Sequence, residues 1–204
     1  MTQQPQHATG QRSRAVRVCR WLAAFWLVAI SPASFTESLA ATGPGTQLPD
    51  AVKGTWRVEA VRVDLAATRT LHYQRNDPRL LGTRFTIGDA GIESTTPEAR
   101  PCAVPTALVW NSTAAAFLAT TMAAHGDPET PAGLKSYELP LAANAPVSAL
   151  WVTCQSGRFG PKASSAARHA VGENDIGTWI LVLPSGELAI RWFDETILVL
   201  QHAH

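Results

Sequence analysis

The last part of the chain contains three short apolar runs separated by turn signals, and this pattern constrains the fold more than any other feature. The runs span residues 179–183, 187–193 and 196–201. Pro184-Ser185-Gly186 separates the first two, and Asp194-Glu195 separates the last two. In the middle run, one apolar face alternates with a mixed face, which is the period of a β-strand. The pattern therefore predicts a three-stranded antiparallel meander at the C-terminus.

Earlier segments show the same strand signals. Residues 56–65 alternate with a slip of one position, which predicts a strand bent by a β-bulge. Residues 84–87 and 92–95 flank a short glycine-bounded loop and predict a hairpin. Two further apolar runs, 137–141 and 149–154, are typical of strands.

One segment favours a helix instead. Residues 112–124 are rich in alanine, and Asn111 or Ser112 is placed to cap the N-terminus. Phe117, Leu118 and Met122 form an apolar stripe that we expect to pack on a sheet. The predicted fold is mainly β, an antiparallel meander barrel or strongly curved sheet with one packed α-helix.

The N-terminus has the layout of a secretory signal peptide. Four arginines precede an uncharged apolar run at residues 21–30, which is too short to span a bilayer. A small-x-small pattern at Ser38-Leu39-Ala40 predicts cleavage near Ala40. We therefore predict a signal peptide over 1–40, a flexible lead over 41–52 and a single β-rich domain over 53–204. The expected location is the periplasm or outside the cell, with no transmembrane span after cleavage. The alternative is an uncleaved N-terminal anchor.

The composition narrows the function classes. Apolar residues make up 46% of the chain and charged residues 16%, which excludes a disordered chain. The formal net charge of +1 excludes the strongly basic class of nucleic-acid-binding proteins. Removing residues 1–40 takes away four Arg and one Glu, so that 13 Lys and Arg then face 15 Asp and Glu.

Two cysteines, Cys102 and Cys154, follow the predicted cleavage site. In an oxidising compartment, such a pair most simply forms one disulfide. A catalytic thiol is the alternative, although neither cysteine lies in a CxxC pair or in a nucleophile signature.

The common enzyme signatures are missing from the sequence, including GxSxG, HExxH, the P-loop and the dinucleotide fingerprint. No catalytic residue, cofactor or metal site is therefore assigned. His202-x-His204 lies at the end of the chain, and His169 with Glu173 and Asp175 has no diagnostic ligand spacing.

Three tryptophans lie on predicted strands whose alternation points them inward: Trp56, Trp151 and Trp192. Large aromatic side chains inside a small barrel either fill the core or line an apolar ligand cavity.

Gly54-Thr55-Trp56 opens the bent first strand of the predicted domain. This opening resembles the GxW motif of the lipocalin and calycin barrels. The resemblance implies that Trp56 plugs the closed end of a barrel and that an arginine of a late strand, here Arg191, lies over it. It also implies a ligand-binding barrel or an inhibitor-like protein. The Thr-Asp-Tyr run of the lipocalins is absent, and the predicted helix interrupts the strands instead of following them.

The leading hypothesis is an exported, non-enzymatic binding protein that holds a small apolar or amphipathic ligand in a barrel cavity. The expected ligand-binding residues are Trp56, Trp151, Trp192, Arg191, Phe85 and Tyr137. One alternative is a protein-binding or inhibitor module of the envelope that uses the long polar loop at residues 157–177. The other is a hydrolase with an unrecognised site that uses His72, Asp77 or carboxylates of that loop.

Overall fold

The computed structural model describes residues 45–122, 133–161 and 178–203. The predicted signal peptide, most of the 157–177 loop and His204 lie outside these residues. The described chain contains nine strands and an α-helix: β1 (Thr46–Gln47), β2 (Gly54–Arg62), β3 (Arg84–Ile87), β4 (Gly91–Ser94), β5 (Cys102–Thr113), α1 (Ala114–Thr121), β6 (Pro146–Gly157), β7 (Trp179–Val182), β8 (Leu188–Arg191) and β9 (Ile197–His202).

Strands β2 to β9 form a closed antiparallel barrel. The order around it is β5-β4-β3-β2-β9-β8-β7-β6, and pairing between β5 and β6 closes the ring. The short strand β1 is added outside the ring, antiparallel to β5. The predicted mainly β fold with one α-helix is confirmed. Of the two predicted forms, a barrel or a strongly curved sheet, the structure shows the closed barrel.

The predicted hairpin β3–β4 and the C-terminal meander β7–β8–β9 are both confirmed. The bulge predicted in the first long strand is also present, because the register of β2 against β9 shifts between Val58 and Ala60. The extra residue changes which side chains of β2 face inward, as the slip in the sequence pattern indicates.

Strand β5, one of the two longest strands, is not predicted from the sequence. It contains Pro105, and a proline interrupts the ladder of a central strand because it has no N–H to donate. Pro105 is tolerated because it lies between the two short pairings on that edge of β5. Ala103 there pairs with β4, and Thr106 pairs with β1.

Two boundaries differ from prediction. Residues 137–141 form the end of a turn and an irregular segment rather than a strand, with Glu138 in the left-handed region at φ 51°. Helix α1 is capped by Thr113, whose side chain accepts from the N–H of Ala116, and not by Asn111 or Ser112. Both of those residues are still paired with β6, so the helix begins two residues later than expected.

The buried residues form two layers. One lies inside the barrel and collects the inward side chains of β2 to β9. The other lies outside, where α1 covers the outer face of β6 and β7. The stripe of Phe117, Leu118 and Met122 is buried there, as predicted.

The segment before β2 contributes to the first layer. Residues 45–52, within the predicted lead, contain β1 and a short 3₁₀ turn at Asp50–Val52. Leu48 and Val52 are both buried in the interior cluster, because they enter one end of the barrel. No helix among the described residues is long and apolar enough to cross a membrane.

Candidate functional site

The barrel interior is occupied by the protein's own aromatic side chains. Phe85 meets Trp192 and Phe159 edge to face, with ring centroids 5.4 and 5.9 Å apart. Trp56 is 3% exposed, and its indole Nε1 donates to the carbonyl of Val52 at 3.0 Å. Three of the predicted ligand-binding residues, Trp56, Phe85 and Trp192, are therefore together, and they pack as core.

Trp151 faces the opposite way from the inward orientation predicted for it. Its neighbours Leu150 and Val152 take the inward positions of β6, and alternation turns Trp151 outward beneath α1. There it stacks on Trp110, with centroids 5.6 Å apart, and meets the edge of Phe117. Tyr137 belongs to the same outer layer. Five of the six predicted residues are thus divided between two layers and do not line one cavity.

Arg191 also lies away from Trp56. It pairs with Ile197 on β9, whereas Trp56 pairs with His202, five residues further along that strand. Five strand residues span about 17 Å, so Arg191 does not cover Trp56 as the resemblance implies. The ring of His202 does so instead, with centroids 4.6 Å apart.

Arg191 is 5% exposed, in a buried polar group with Glu195 and Tyr137. Burial lowers the pKa of its guanidinium, and the negative charge of Glu195 opposes that change. The Tyr137 hydroxyl donates to the backbone carbonyl of Glu195 at 2.9 Å, and burial raises the pKa of that phenol. This arrangement anchors the turn between β8 and β9 to the segment that follows α1.

The structure contains an apolar groove at the end of the barrel where the chain enters β2; we call it the mouth groove. Its volume is about 460 Å³. It lies between the 3₁₀ turn, strands β5 to β7 and the turn after β7, and its lining includes Val52, Val109, Leu141, Leu150, Val182 and Pro184. Among the described residues, no charged side chain lines it.

Two of the lining valines are open to solvent. Val109 is 42% exposed and Val182 is 41% exposed, although both are apolar residues of barrel strands. Ser148 adds a hydroxyl, which donates to Oδ1 of Asn111 at 2.6 Å. An apolar concavity of this size with one or two polar groups is the usual form of a ligand site. This site is not predicted from the sequence because Val109 lies on β5, a strand that Pro105 makes difficult to recognise.

A second, polar pocket of about 350 Å³ lies in the loop between β2 and β3 and includes His72, Tyr73, Asp77 and Arg79. Asp77 is the residue of the hydrolase alternative, and both its oxygens accept from the Arg79 guanidinium, at 2.9 and 2.7 Å. This pairing holds the pKa of the Asp77 carboxyl far below its usual range. A carboxylate bound in this way stabilises the conformation of its loop, and it is a poor proton acceptor.

The backbone N–H of His72 donates to the Asp194 carboxylate, and its ring meets the edge of Tyr73. The described residues contain no group of three or more His, Cys, Asp or Glu side chains placed to hold a metal ion. The candidate ligands His169, Glu173 and Asp175 lie outside the described residues.

Cys102 and Cys154 form the predicted disulfide, with an S–S distance of 2.01 Å. It joins β5 to β6 across the pairing that closes the barrel. Comparison of the chain with models of protein families, with curated proteins and with solved structures gives no match. The mouth groove is therefore interpreted from its own geometry.

Proposed function

We propose that this chain is an exported, non-enzymatic binding protein of the cell envelope, and that it holds the apolar part of an apolar or amphipathic ligand in the mouth groove. The main support is that two solvent-exposed valines, Val109 and Val182, line an uncharged concavity of about 460 Å³. Apolar surface left open in such a concavity favours burial against a ligand.

This proposal moves the ligand site from the barrel interior to the barrel mouth. The interior positions of Trp56, Phe85 and Trp192 are filled by mutual packing. Val52 lies between the barrel interior and the mouth groove. Its carbonyl accepts a hydrogen bond from Trp56, and the residue also lines the groove. A ligand at the mouth therefore contacts the buried core without entering it.

Export is part of the proposal. It is supported by the arginine-flanked apolar run before residue 31 and the small-x-small pattern ending at Ala40. The Cys102–Cys154 disulfide is consistent with an oxidising compartment. A lipocalin-like relationship also remains a proposal. The closed eight-stranded barrel and the Gly54-Thr55-Trp56 opening support it, and the position of Arg191 away from Trp56 opposes it.

The test uses N-phenyl-1-naphthylamine, whose fluorescence rises when it enters an apolar site. The mature protein should bind this probe saturably. Val182→Lys places an ammonium group in the groove and should weaken binding by at least about tenfold, because burying an unpaired charge is costly. The matched control is Leu65→Lys, at an apolar residue 55% exposed and outside the groove lining.

The mass of the mature protein, taken in the same preparation, tests cleavage near Ala40. Probe binding that is absent from the wild type, or equal in Val182→Lys and Leu65→Lys, would overturn the mouth groove as the binding site. A mature protein that retains residues 1–40 would overturn the assignment of a cleaved signal peptide.

A further inference from the structure

Strand β5 has two very different edges. One pairs with β6 along its whole length, from Cys102 to Thr113. The other pairs with β4 only at Cys102 and Ala103, and with β1 only at Thr106 and Ala107. The second half of β5, from Leu108 to Thr113, is therefore paired on one side alone within the described residues.

Two hydrogen bonds show which residues point their backbone groups to each edge. The N–H of Ala114 donates to the carbonyl of Ala145, the residue before β6, at 2.9 Å, and the carbonyl of Ala107 accepts from the Thr46 side chain of β1, at 3.3 Å. In an antiparallel strand, the N–H and C=O of one residue point the same way, and successive residues alternate. From Thr106 onward, even-numbered residues therefore face β6 and odd-numbered residues face the β1 edge.

Val109 and Asn111 consequently direct their backbone N–H and C=O groups to an edge where no described strand pairs with them. If the register of β1 continued upstream, Pro44 would stand opposite Val109. A proline has no N–H to donate to the Val109 carbonyl. A continuation of β1 would thus be a poor complement for this edge.

The open edge and the mouth groove meet at Val109, whose side chain lines the groove. A ligand that satisfies both must present backbone-like donors and acceptors to the edge and apolar groups to the groove. An extended polypeptide does this, because its side chains alternate while its N–H and C=O groups pair in the plane of the sheet.

The charges beside the groove add a preference. Asp50 lies between the lining residues Pro49 and Ala51, and its side chain is 97% exposed. Glu187 lies in the turn that follows Pro184, another lining residue. Lys53, the basic residue nearest to Asp50, is shared with a second carboxylate, Asp89. A peptide with basic residues beside its apolar ones complements this rim.

We propose that the ligand of the mouth groove is an extended segment of a partner protein, which adds as a strand to β5 at Val109 and Asn111 and places an apolar side chain in the groove. This inference rests on the proposed function and names its ligand class. A small apolar molecule would fill the groove but leave the backbone edge unpaired.

The experiment begins with amide hydrogen exchange in the free protein. The amides of Val109 and Asn111 should exchange fast, whereas those of Trp110 and Ser112, which face β6, should be protected. A library of synthetic heptapeptides is then added, with Val, Ile or Phe at alternate positions and Lys or Ser between them. Binding should slow exchange at Val109 and Asn111 by at least about tenfold.

Two N-methylated forms of the tightest peptide separate strand addition from simple apolar burial. One form is methylated on the backbone nitrogens of the odd-numbered peptide residues, and the other on those of the even-numbered residues. Only the form that has lost the N–H groups facing β5 should lose affinity, by at least about tenfold. Equal effects of the two forms would overturn the proposal.

Protein variants give the matching test. Asn111→Pro removes one N–H from the open edge and none from the β6 ladder, as Pro105 already does. Asn111→Ala removes the same side chain but keeps the N–H. We expect Asn111→Pro to bind the peptide at least about tenfold more weakly than Asn111→Ala. If Asn111→Pro fails to fold, the methylated peptides decide.

The possible results distinguish failure of the groove proposal from failure of the strand-addition proposal. If naphthylamine binds in the groove but no peptide slows exchange at Val109 and Asn111, the ligand is a small molecule, and only the strand-addition proposal fails. If naphthylamine does not bind but the peptides do protect these amides, the groove fails as an apolar site, and with it the placement of a side chain there, whereas strand addition at Val109 and Asn111 stands. Protected Val109 and Asn111 amides in the free protein would overturn the open edge itself.

Discussion

The imidazole of His202 packs against the indole of Trp56, with ring centroids 4.6 Å apart and a tilt of 52° between the rings. The contact joins the last residues of β9 to the first residues of β2. Gly54 makes room for it, since a Cβ at that position would lie 2.8 Å from Nε2 of His202. Gly54 also has φ 125°, a conformation that side chains disfavour.

Trp56→Ala should lower the free energy of unfolding by about 3–5 kcal/mol, because it removes a fully packed indole from the barrel interior. His202→Ala should cost only about 1 kcal/mol, the size of an aromatic pair contact. Urea denaturation measures both. Gln201→Ala, at an exposed neighbour on β9, serves as the control. Equal losses for Trp56→Ala and Gln201→Ala would contradict the packing described for Trp56.

The disulfide between Cys102 and Cys154 closes a loop with a sequence separation of 52 residues. Loop-closure entropy predicts that the double variant Cys102→Ser, Cys154→Ser loses about 4 kcal/mol of unfolding free energy. Urea unfolding of the oxidised wild type, the reduced wild type and the variant measures this loss. The last two should agree; a variant as stable as the oxidised protein would show that the bond contributes nothing.

Asp77→Asn should destabilise the protein at neutral pH and become less harmful in acid. The Arg79 guanidinium lowers the pKa of the Asp77 carboxyl well below its ordinary value of 3.8. A depressed pKa adds stability above the unfolded-state value, and this stability is lost as pH falls through the folded-state value. The urea midpoints of wild type and variant should therefore differ at neutral pH and approach each other as the pH falls below 4. A constant difference across that range would refute the role of the ionised carboxylate.

Substitutions of Asp194 should reveal the energetic cost of the left-handed backbone in the turn between β8 and β9. Its φ of 55° is left-handed, and its carboxylate accepts from Arg69 and from the backbone N–H of His72, both at 2.6 Å. Asp194→Gly and Asp194→Ala both lose these bonds, but only glycine relieves the backbone. The glycine variant should be about 1 kcal/mol more stable than the alanine variant in thermal or urea unfolding. The opposite order would place this turn outside the left-handed region.

Local pattern predicted the elements whose two faces differ or whose turns carry strong signals. In β8, Leu188 and Ile190 face inward as the alternation indicates, and the turn at Pro184-Ser185-Gly186 separates β7 from β8. The bulge of β2 was predicted for the same reason, because one extra residue shifts the whole apolar set. The disulfide followed from compartment and count.

The pattern predicted the wrong orientation for Trp151, which faces outward beneath α1 instead of inward. Both faces of β6 are apolar, since α1 covers the outside and the barrel core covers the inside, and a strand buried on both faces shows no alternation to interpret. Strand β5 was not predicted because it contains Pro105. A proline is tolerated in a long strand only where its missing N–H points to an unpaired edge, and that edge exists only once β1 and β4 are placed.

The sequence by itself determined the mainly β fold, the C-terminal meander, the bent first strand and the cysteine pair, because these depend on neighbours along the chain or on simple counting. Only the tertiary structure decided that the barrel closes through β5 and β6, that its interior is filled by aromatic rings, and that an apolar groove opens at its mouth. These properties depend on contacts between residues far apart in the chain. Ser148 and Asn111, for example, are 37 residues apart and meet only when β5 and β6 pair.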